Sequence, residues 1–135
     1  MWEEGFATYA VRLLNPGLSS REVFFAPTDL GAEATRHLPH LARLVRQDMD
    51  HPSAAPLYAA LIAGGPAEAS RLHADLPPRS GYVLGYRLVE RLSRRYALAR
   101  LVNLTGPRLR QIVAAELEAL SQEREARFIT MRRRA

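Results

Sequence analysis

The first chemistry that this sequence offers is that of a carboxylate near its start. Glu3 and Glu4 follow Trp2, and Gly5 comes directly after them. A catalytic zinc ion takes three protein ligands and keeps one position open, and a helical carboxylate can be the third ligand if a neighbouring helix presents two histidines. Gly5 has no side chain, so it permits that neighbour to approach closely. The alternative is that Glu3 and Glu4 are first-turn acids, which the helix dipole favours.

Two tyrosines form the second candidate for chemistry. Tyr82 and Tyr86 are four residues apart, and Gly81 and Gly85 precede them with the same spacing. On a helix the two tyrosines share one face and the two glycines share the adjacent face, where they permit close packing. A tyrosine hydroxyl near a zinc ion can donate a hydrogen bond to the oxyanion of a tetrahedral intermediate. The alternative is that both are core tyrosines with satisfied hydroxyls.

The segment from Trp2 to Tyr9 resembles the Trp-x-x-Glu-Gly-Phe-Ala stretch of gluzincin metallopeptidases, best known from enzymes like aminopeptidase N. The resemblance implies that Glu4 is the third ligand of a catalytic zinc, after two histidines of a His-Glu-x-x-His helix whose Glu is the general base. This chain contains no His-Glu-x-x-His. It therefore resembles the C-terminal half of such a domain. Zinc is implied for a full-length ancestor, and we expect this chain alone to bind zinc weakly, if at all, and to lack peptidase activity.

The segment from Pro77 to Arg87 looks like the Gly-Tyr-x-x-Gly-Tyr element of a bacterial group of uncharacterised proteins regarded as zinc-dependent proteases. Those proteins also carry a Glu-Gly-x-Ala-x-Tyr stretch followed by an Asn-Pro turn, which Asn15 and Pro16 match here. By this resemblance a tyrosine downstream of the third ligand stabilises the oxyanion, with Tyr82 the first choice and Tyr86 the second. The implied reaction is hydrolysis of a peptide substrate.

The histidines offer little else for a metal. His37 and His40 are three residues apart with Pro39 between them, whereas helical zinc pairs are more often four apart. His51 and His73 are isolated in the sequence. We interpret all four histidines as surface or interface residues.

Two arginines flank the tyrosines. Arg79 and Arg87 can hold a peptide carboxylate through two parallel hydrogen bonds. Alternatively, they pair with Glu68, with Glu90 or with solvent.

Composition indicates one folded domain. The 135 residues include no cysteine, and the formal net charge of +5 comes from arginine without lysine. We expect a single helical domain over 1–126 and a basic tail over 127–135. No apolar run reaches the roughly 18 residues that span a bilayer. No signal peptide is visible, so the cytoplasm is the default and the compartment stays unknown. The arginines look dispersed along the chain, and no nucleic-acid partner is expected.

Helical periodicity and capping signals predict an all-α fold, an irregular multi-helix bundle resembling the C-terminal helical part of a gluzincin catalytic domain. Ser19 or Ser20, Thr28 or Asp29, and Ser80 are the expected helix caps, and Pro39 is expected to kink or split its helix. The predicted helices are 2–14, a short one through 25, 30–49, 54–63, one turn at 67–73, 81–96, 98–104 and 107–125.

Three functions from different classes stay open. The chain is part of a zinc peptidase, or it is a non-catalytic helical remnant or interaction module, or it is a basic helical binder of nucleic acid or anionic surfaces. If a histidine helix is missing, the face of the first helix that met it is left exposed and apolar. Because such patches promote association, we expect a homo-oligomer through the first helix.

Overall fold

The computed structural model describes residues 1–26, 29–50, 61–62 and 76–132 of the chain, with side chains as far as residue 123. These residues form α-helices and turns, with no strand among them, which confirms the predicted all-α class. The helices are α1 (Trp2–Leu14), α2 (Ser20–Val23), α3 (Leu30–Arg36), α4 (Leu38–Asp48), α5 (Ser80–Ser93), α6 (Leu98–Val102) and α7 (Gly106–Arg132).

Polar caps set the limits of the short N-terminal helices. Ser19 and Glu22 form a reciprocal capping box at the start of α2, in which the backbone amide of Ser19 donates to the Glu22 carboxylate at 2.8 Å. Asp29 caps α3 by accepting a hydrogen bond from the amide of Ala32 at 3.0 Å. Helix α1 has the predicted bounds and ends at Asn15. The caps at Ser19 and Asp29 are among the predicted alternatives.

Proline divides the next helical stretch as predicted. Helix α3 ends at His37, and α4 begins at Leu38 with Pro39 in its first turn. A proline is tolerated there because the amides of a first turn lack intrahelical partners in any case. His37 is the one residue between the two helices.

The start of α5 differs from the prediction. Ser80 was expected to cap the helix from outside, but the capping position is Arg79, in the left-handed conformation with φ 65°. Ser80 is the first helical residue and is fully buried. The reason is a tight turn in which the amide of Ser80 donates to the carbonyl of Pro77 at 3.2 Å, so that the Ser80 side chain enters the core. The predicted apolar stripe of this helix is confirmed, since these residues are buried: Val83, Leu84, Leu88, Val89 and Leu92.

The last helix is longer than predicted. Gly106 has φ +60°, Pro107 follows it in the first turn, and α7 continues to Arg132 instead of ending near residue 125. Val113, Leu117 and Leu120 are buried as expected.

Two apolar clusters meet on α5. The larger cluster packs α3, α4 and α7 around Leu84 and Leu88. The smaller cluster gathers Leu101 and Leu104 around Leu92, with Trp2 and Phe6 of α1 against them. Helix α5 therefore contributes residues to both clusters, while α7 packs chiefly on α4.

Some predictions fall outside the described residues. These are the helix at 54–63 apart from Leu61 and Ile62, which are helical and buried, the turn at 67–73, a cap at Thr28, and the isolated His51 and His73. Among the described helices, none is both long and apolar enough to cross a membrane.

Candidate functional site

The two segments that carry the resemblance lie against each other. Helix α1 crosses α5 with Gly5 directly on Gly85, so closely that a Cβ atom added to Gly5 would lie 2.2 Å from the carbonyl carbon of Gly85. A Cβ atom added to Gly85 would lie 2.6 Å from the carbonyl oxygen of Met1. The two backbones are therefore in contact, and only glycine permits this separation at these positions.

Aromatic rings extend this contact along both helices. The rings of Tyr9 and Tyr86 have centroids 5.6 Å apart, and Phe24 meets Tyr86 edge-on at 5.6 Å. The Tyr9 hydroxyl lies 2.9 Å from Ser93 Oγ. Because Ser93 Oγ donates to the carbonyl of Glu90 at 2.8 Å, Tyr9 is the donor in the first bond. Tyr9 of the first segment and Tyr86 of the second thus belong to one packed layer.

Glu4 lies half-buried on α1, next to the Gly5 crossing. Its carbonyl accepts a hydrogen bond from Thr8 Oγ1 at 2.7 Å, whereas its carboxylate accepts none from a described residue. Burial lowers the pKa of the Met1 amine, and the charges of Glu4 and Glu3 act against that effect. Glu4 lines neither of the two grooves described below.

No cluster that completes a metal site surrounds Glu4 within the described ranges. Three or more His, Asp or Glu side chains do not gather anywhere in that part of the chain. His37 lies half-buried at the junction of α3 and α4, and His40 is exposed on α4. The role of Glu4 as a zinc ligand stays a prediction.

Tyr86 lines a groove of about 620 Å³ between α2, α3 and α5. Burial raises the pKa of its phenol; the charge of Glu90 adds to this shift and the charges of Arg87 and Arg12 oppose it. The hydroxyl therefore stays protonated near neutral pH and can donate a hydrogen bond. It makes none to a described residue.

Tyr82 has different surroundings. The Arg79 guanidinium lies 4.9 Å above its ring, and the same guanidinium donates to the carbonyl of Phe25 at 3.4 Å. Tyr82 is half-buried against the larger cluster and does not line the two described grooves. Of the two candidate tyrosines, Tyr86 is the one that faces a described groove.

A second groove of about 900 Å³ adjoins the first one and shares Thr35, Arg87 and Glu90 with it. It lies between the α3–α4 junction and the polar side of α5 and α7. Arg87 pairs with Glu90 at 2.8 Å, which is one of the alternatives that the sequence left open. The other arginines along this groove are Arg36, Arg91 and Arg94.

A buried carboxylate holds Arg91, which lines the second groove. Glu116 is 4% exposed and accepts hydrogen bonds from Arg91 and Arg95, and Arg91 also bonds Glu123. Burial acts against the charge of Arg91, but the bonds and charges of Glu116 and Glu123 outweigh it and raise the pKa of the guanidinium. This ion cluster fixes α7 against the C-terminal half of α5.

One feature of the sequence, the spacing of three arginines, indicates part of this groove. Arg87, Arg91 and Arg94 follow the i, i+4, i+7 spacing of one helical face, although the arginines of the whole chain look dispersed. Arg36 joins them only through the tertiary fold, since it is on α3. Glu116 carries no local signal of burial.

In comparisons with protein-family models, with curated proteins and with solved structures, no match to this chain is found.

Proposed function

We propose that this chain supplies the C-terminal part of a zinc-dependent peptidase site, in which Glu4 is a metal ligand and Tyr86 donates a hydrogen bond to the oxyanion. The supporting observation is that the two segments of the resemblance, far apart in the sequence, pack on each other at Gly5 and Gly85. A chance match of two short motifs gives no reason for a contact between them.

The side chains at this crossing have the properties that these roles need. The Glu4 carboxylate accepts no hydrogen bond from a described residue, so its oxygens are available to a cation. The Tyr86 phenol is protonated near neutral pH, as an ordinary phenol is, and burial raises its pKa further. Tyr86 lines a groove that can receive a peptide. Zinc, when bound, would supply an acidified water as the nucleophile.

One carboxylate is one ligand of three, so the remaining ligands are expected from residues other than those described here. The experiment therefore uses the complete product of the gene, including any residues encoded ahead of residue 1. Zinc content is measured by mass spectrometry, and hydrolysis is followed on a mixed peptide library. We expect one zinc per chain, and we expect Glu4→Gln to lose both zinc and activity. The 135-residue chain alone is expected to hold well under one zinc per chain.

Glu3→Gln is the matched control, because Glu3 is the adjacent acid and is exposed on the same helix. It is expected to keep zinc and activity. Equal zinc content in the Glu4→Gln variant and the unmodified protein would contradict the ligand role. Tyr86→Phe is expected to lower the turnover rate about a hundredfold while zinc stays bound, in line with the loss of one oxyanion donor.

A second candidate is a non-catalytic interaction module, and one observation favours it. Phe25 is 75% exposed and is held at φ 48°, a conformation that is costly for a bulky residue and is often found at functional sites. Leu13 and Leu14 are also exposed, at the end of α1. A complete gene product that has neither zinc nor hydrolytic activity would favour this module over the peptidase.

A further inference from the structure

The two grooves adjoin along the polar side of α5, where Thr35, Arg87 and Glu90 line both of them, and together they are called the depression below. Tyr86 lies at one end and Arg94 at the other. We propose that this depression binds an extended peptide and selects an acidic side chain three to four residues from the position beside Tyr86. That the reaction takes place at the Tyr86 end rests on the proposed function. The preference for an acidic side chain does not rest on it.

Two cations in the depression are available to a ligand. Arg87 is paired with Glu90, and Arg91 with Glu116 and Glu123. Arg36 and Arg94 line the same groove, are exposed, and make no hydrogen bond or ion pair with a described residue. A carboxylate that enters the groove can therefore accept hydrogen bonds from either guanidinium without breaking an existing pair.

The interleaved acids favour a peptide carboxylate over a polyphosphate. Asp29, Glu90 and Glu123 line the depression together with the arginines. A nucleic acid carries a charge on every phosphate and would be repelled where these acids lie, whereas a single carboxylate can avoid them. The volume of about 900 Å³ is also within the range of ligand clefts.

Helix geometry gives the spacing. Tyr86 and Arg94 are eight residues apart at the end of α5, which corresponds to about 12 Å along the axis at ~1.5 Å per residue. An extended peptide advances about 3.3 Å per residue, so this length holds between three and four peptide residues.

The test is a binding measurement that needs neither zinc nor hydrolysis. Fluorescein-labelled octapeptides that differ only in two central residues, Asp-Asp or Asn-Asn, are titrated with the 135-residue chain, and anisotropy is recorded. We expect the Asp-Asp peptide to bind more tightly, and we expect Arg36→Gln and Arg94→Gln each to weaken it about threefold to fivefold, as for exposed ion pairs. The Asn-Asn peptide should be indifferent to both variants.

Arg108→Gln is the matched control, since Arg108 is exposed in the first turn of α7 and lines neither described groove. Circular dichroism verifies that all three variants keep their helices. If Arg108→Gln weakens the peptide as much as Arg94→Gln does, the effect is general charge and the site is refuted. Displacement of the peptide by an equal concentration of oligothymidylate, with the same dependence on Arg36 and Arg94, would assign the groove to nucleic acid instead.

The two proposals fail separately. An acid-selective groove in a protein without zinc or hydrolytic activity would leave this inference in place and remove the peptidase. Conversely, hydrolysis of the peptide library without any preference for acidic residues would keep the peptidase and refute the groove.

Discussion

The two sides of α5 differ in the side chains that they present to neighbouring helices and in how closely those helices approach. Toward α1 the helix presents Gly85 and Tyr86, and the backbones of the two helices touch. At the edge of its apolar contact with α3, α4 and α7 it presents Arg87 and Arg91, with Arg94 directly after the helix, and grooves remain beside these side chains. Small residues let helices approach until main-chain atoms meet, whereas long charged side chains keep them apart and leave space for a ligand.

The two sides also differ in how they tolerate change. The α1 side depends on shape where Gly5 meets Gly85, so an added methyl group is its most damaging change. The α7 side depends on a buried charge that is satisfied by two guanidinium groups, so the removal of that charge is the most damaging change there. Each of the following experiments alters one side, and the first two also use a control that alters neither.

The largest effect is expected from Glu116→Ala. The substitution leaves Arg91 and Arg95 without the carboxylate that they share, and breaking a buried pair typically costs 3–5 kcal/mol. Because both arginines are partly exposed, water replaces some of the lost bonds. We expect the free energy of unfolding in urea to fall by about 3 kcal/mol, the low end of that range.

Glu118→Ala controls for helix propensity and net charge. Glu118 is exposed on the same helix and accepts a hydrogen bond from Gln122 at 2.7 Å. Its removal is expected to change the free energy of unfolding by less than about 0.5 kcal/mol. Similar losses in the two variants would mean that the arginine side of α5 contributes no more than an ordinary surface.

The next effect is expected from Gly5→Ala. The new Cβ atom would lie within 2.5 Å of three backbone atoms of Gly85, and no side-chain rotation can relieve this overlap. Overpacking typically costs about 1–3 kcal/mol, with more in severe cases. The higher helix propensity of alanine offsets about 1 kcal/mol of this loss in the free energy of unfolding. We expect a net loss of about 2 kcal/mol in urea unfolding, from the upper part of that range.

Gly17→Ala is the control for this glycine, since a Cβ atom there would meet nothing within 4 Å. Its effect is expected to be near zero. If Gly5→Ala is as stable as Gly17→Ala, the helices can separate freely, and the backbone contact at Gly85 has no structural importance.

The sequence predicted the α1 side of this comparison better than the α7 side. Glycine spacing and the tyrosines are local signals, and the bounds of α1 and the apolar stripe of α5 follow from periodicity. The contact between Gly5 and Gly85 was not predicted. A glycine in a helix indicates that another backbone can approach closely, but it does not indicate which one. The prediction for Ser80 was wrong for a related reason. A serine before a helix is typical of a cap, but the turn that begins at Pro77 makes Ser80 the first residue inside the helix.

The groove could not be predicted because it depends on long-range packing. Arg36 and Arg94 line the same groove only because α3, α4 and α5 pack together in the folded chain. Glu116 looks like any other acid on an amphipathic helix, and its burial follows from the position of two arginines on another helix. The metal role of Glu4 is different again, since it rests on resemblance and needs ligands that lie outside the described residues.

The smallest effect is expected at the hydroxyl that joins the two motif helices, the Tyr9 bond to Ser93 Oγ at 2.9 Å. Tyr9→Phe removes the donor and keeps the ring on Tyr86, so the loss should be about 1 kcal/mol, the net worth of one hydrogen bond. Ser93→Ala removes the acceptor and also the bond from Ser93 to the Glu90 carbonyl. A double-mutant cycle in urea isolates the shared bond, and we expect a coupling of about 0.5–1 kcal/mol. Zero coupling would show that this hydrogen bond contributes nothing to holding α1 on α5, and that the contact depends on shape.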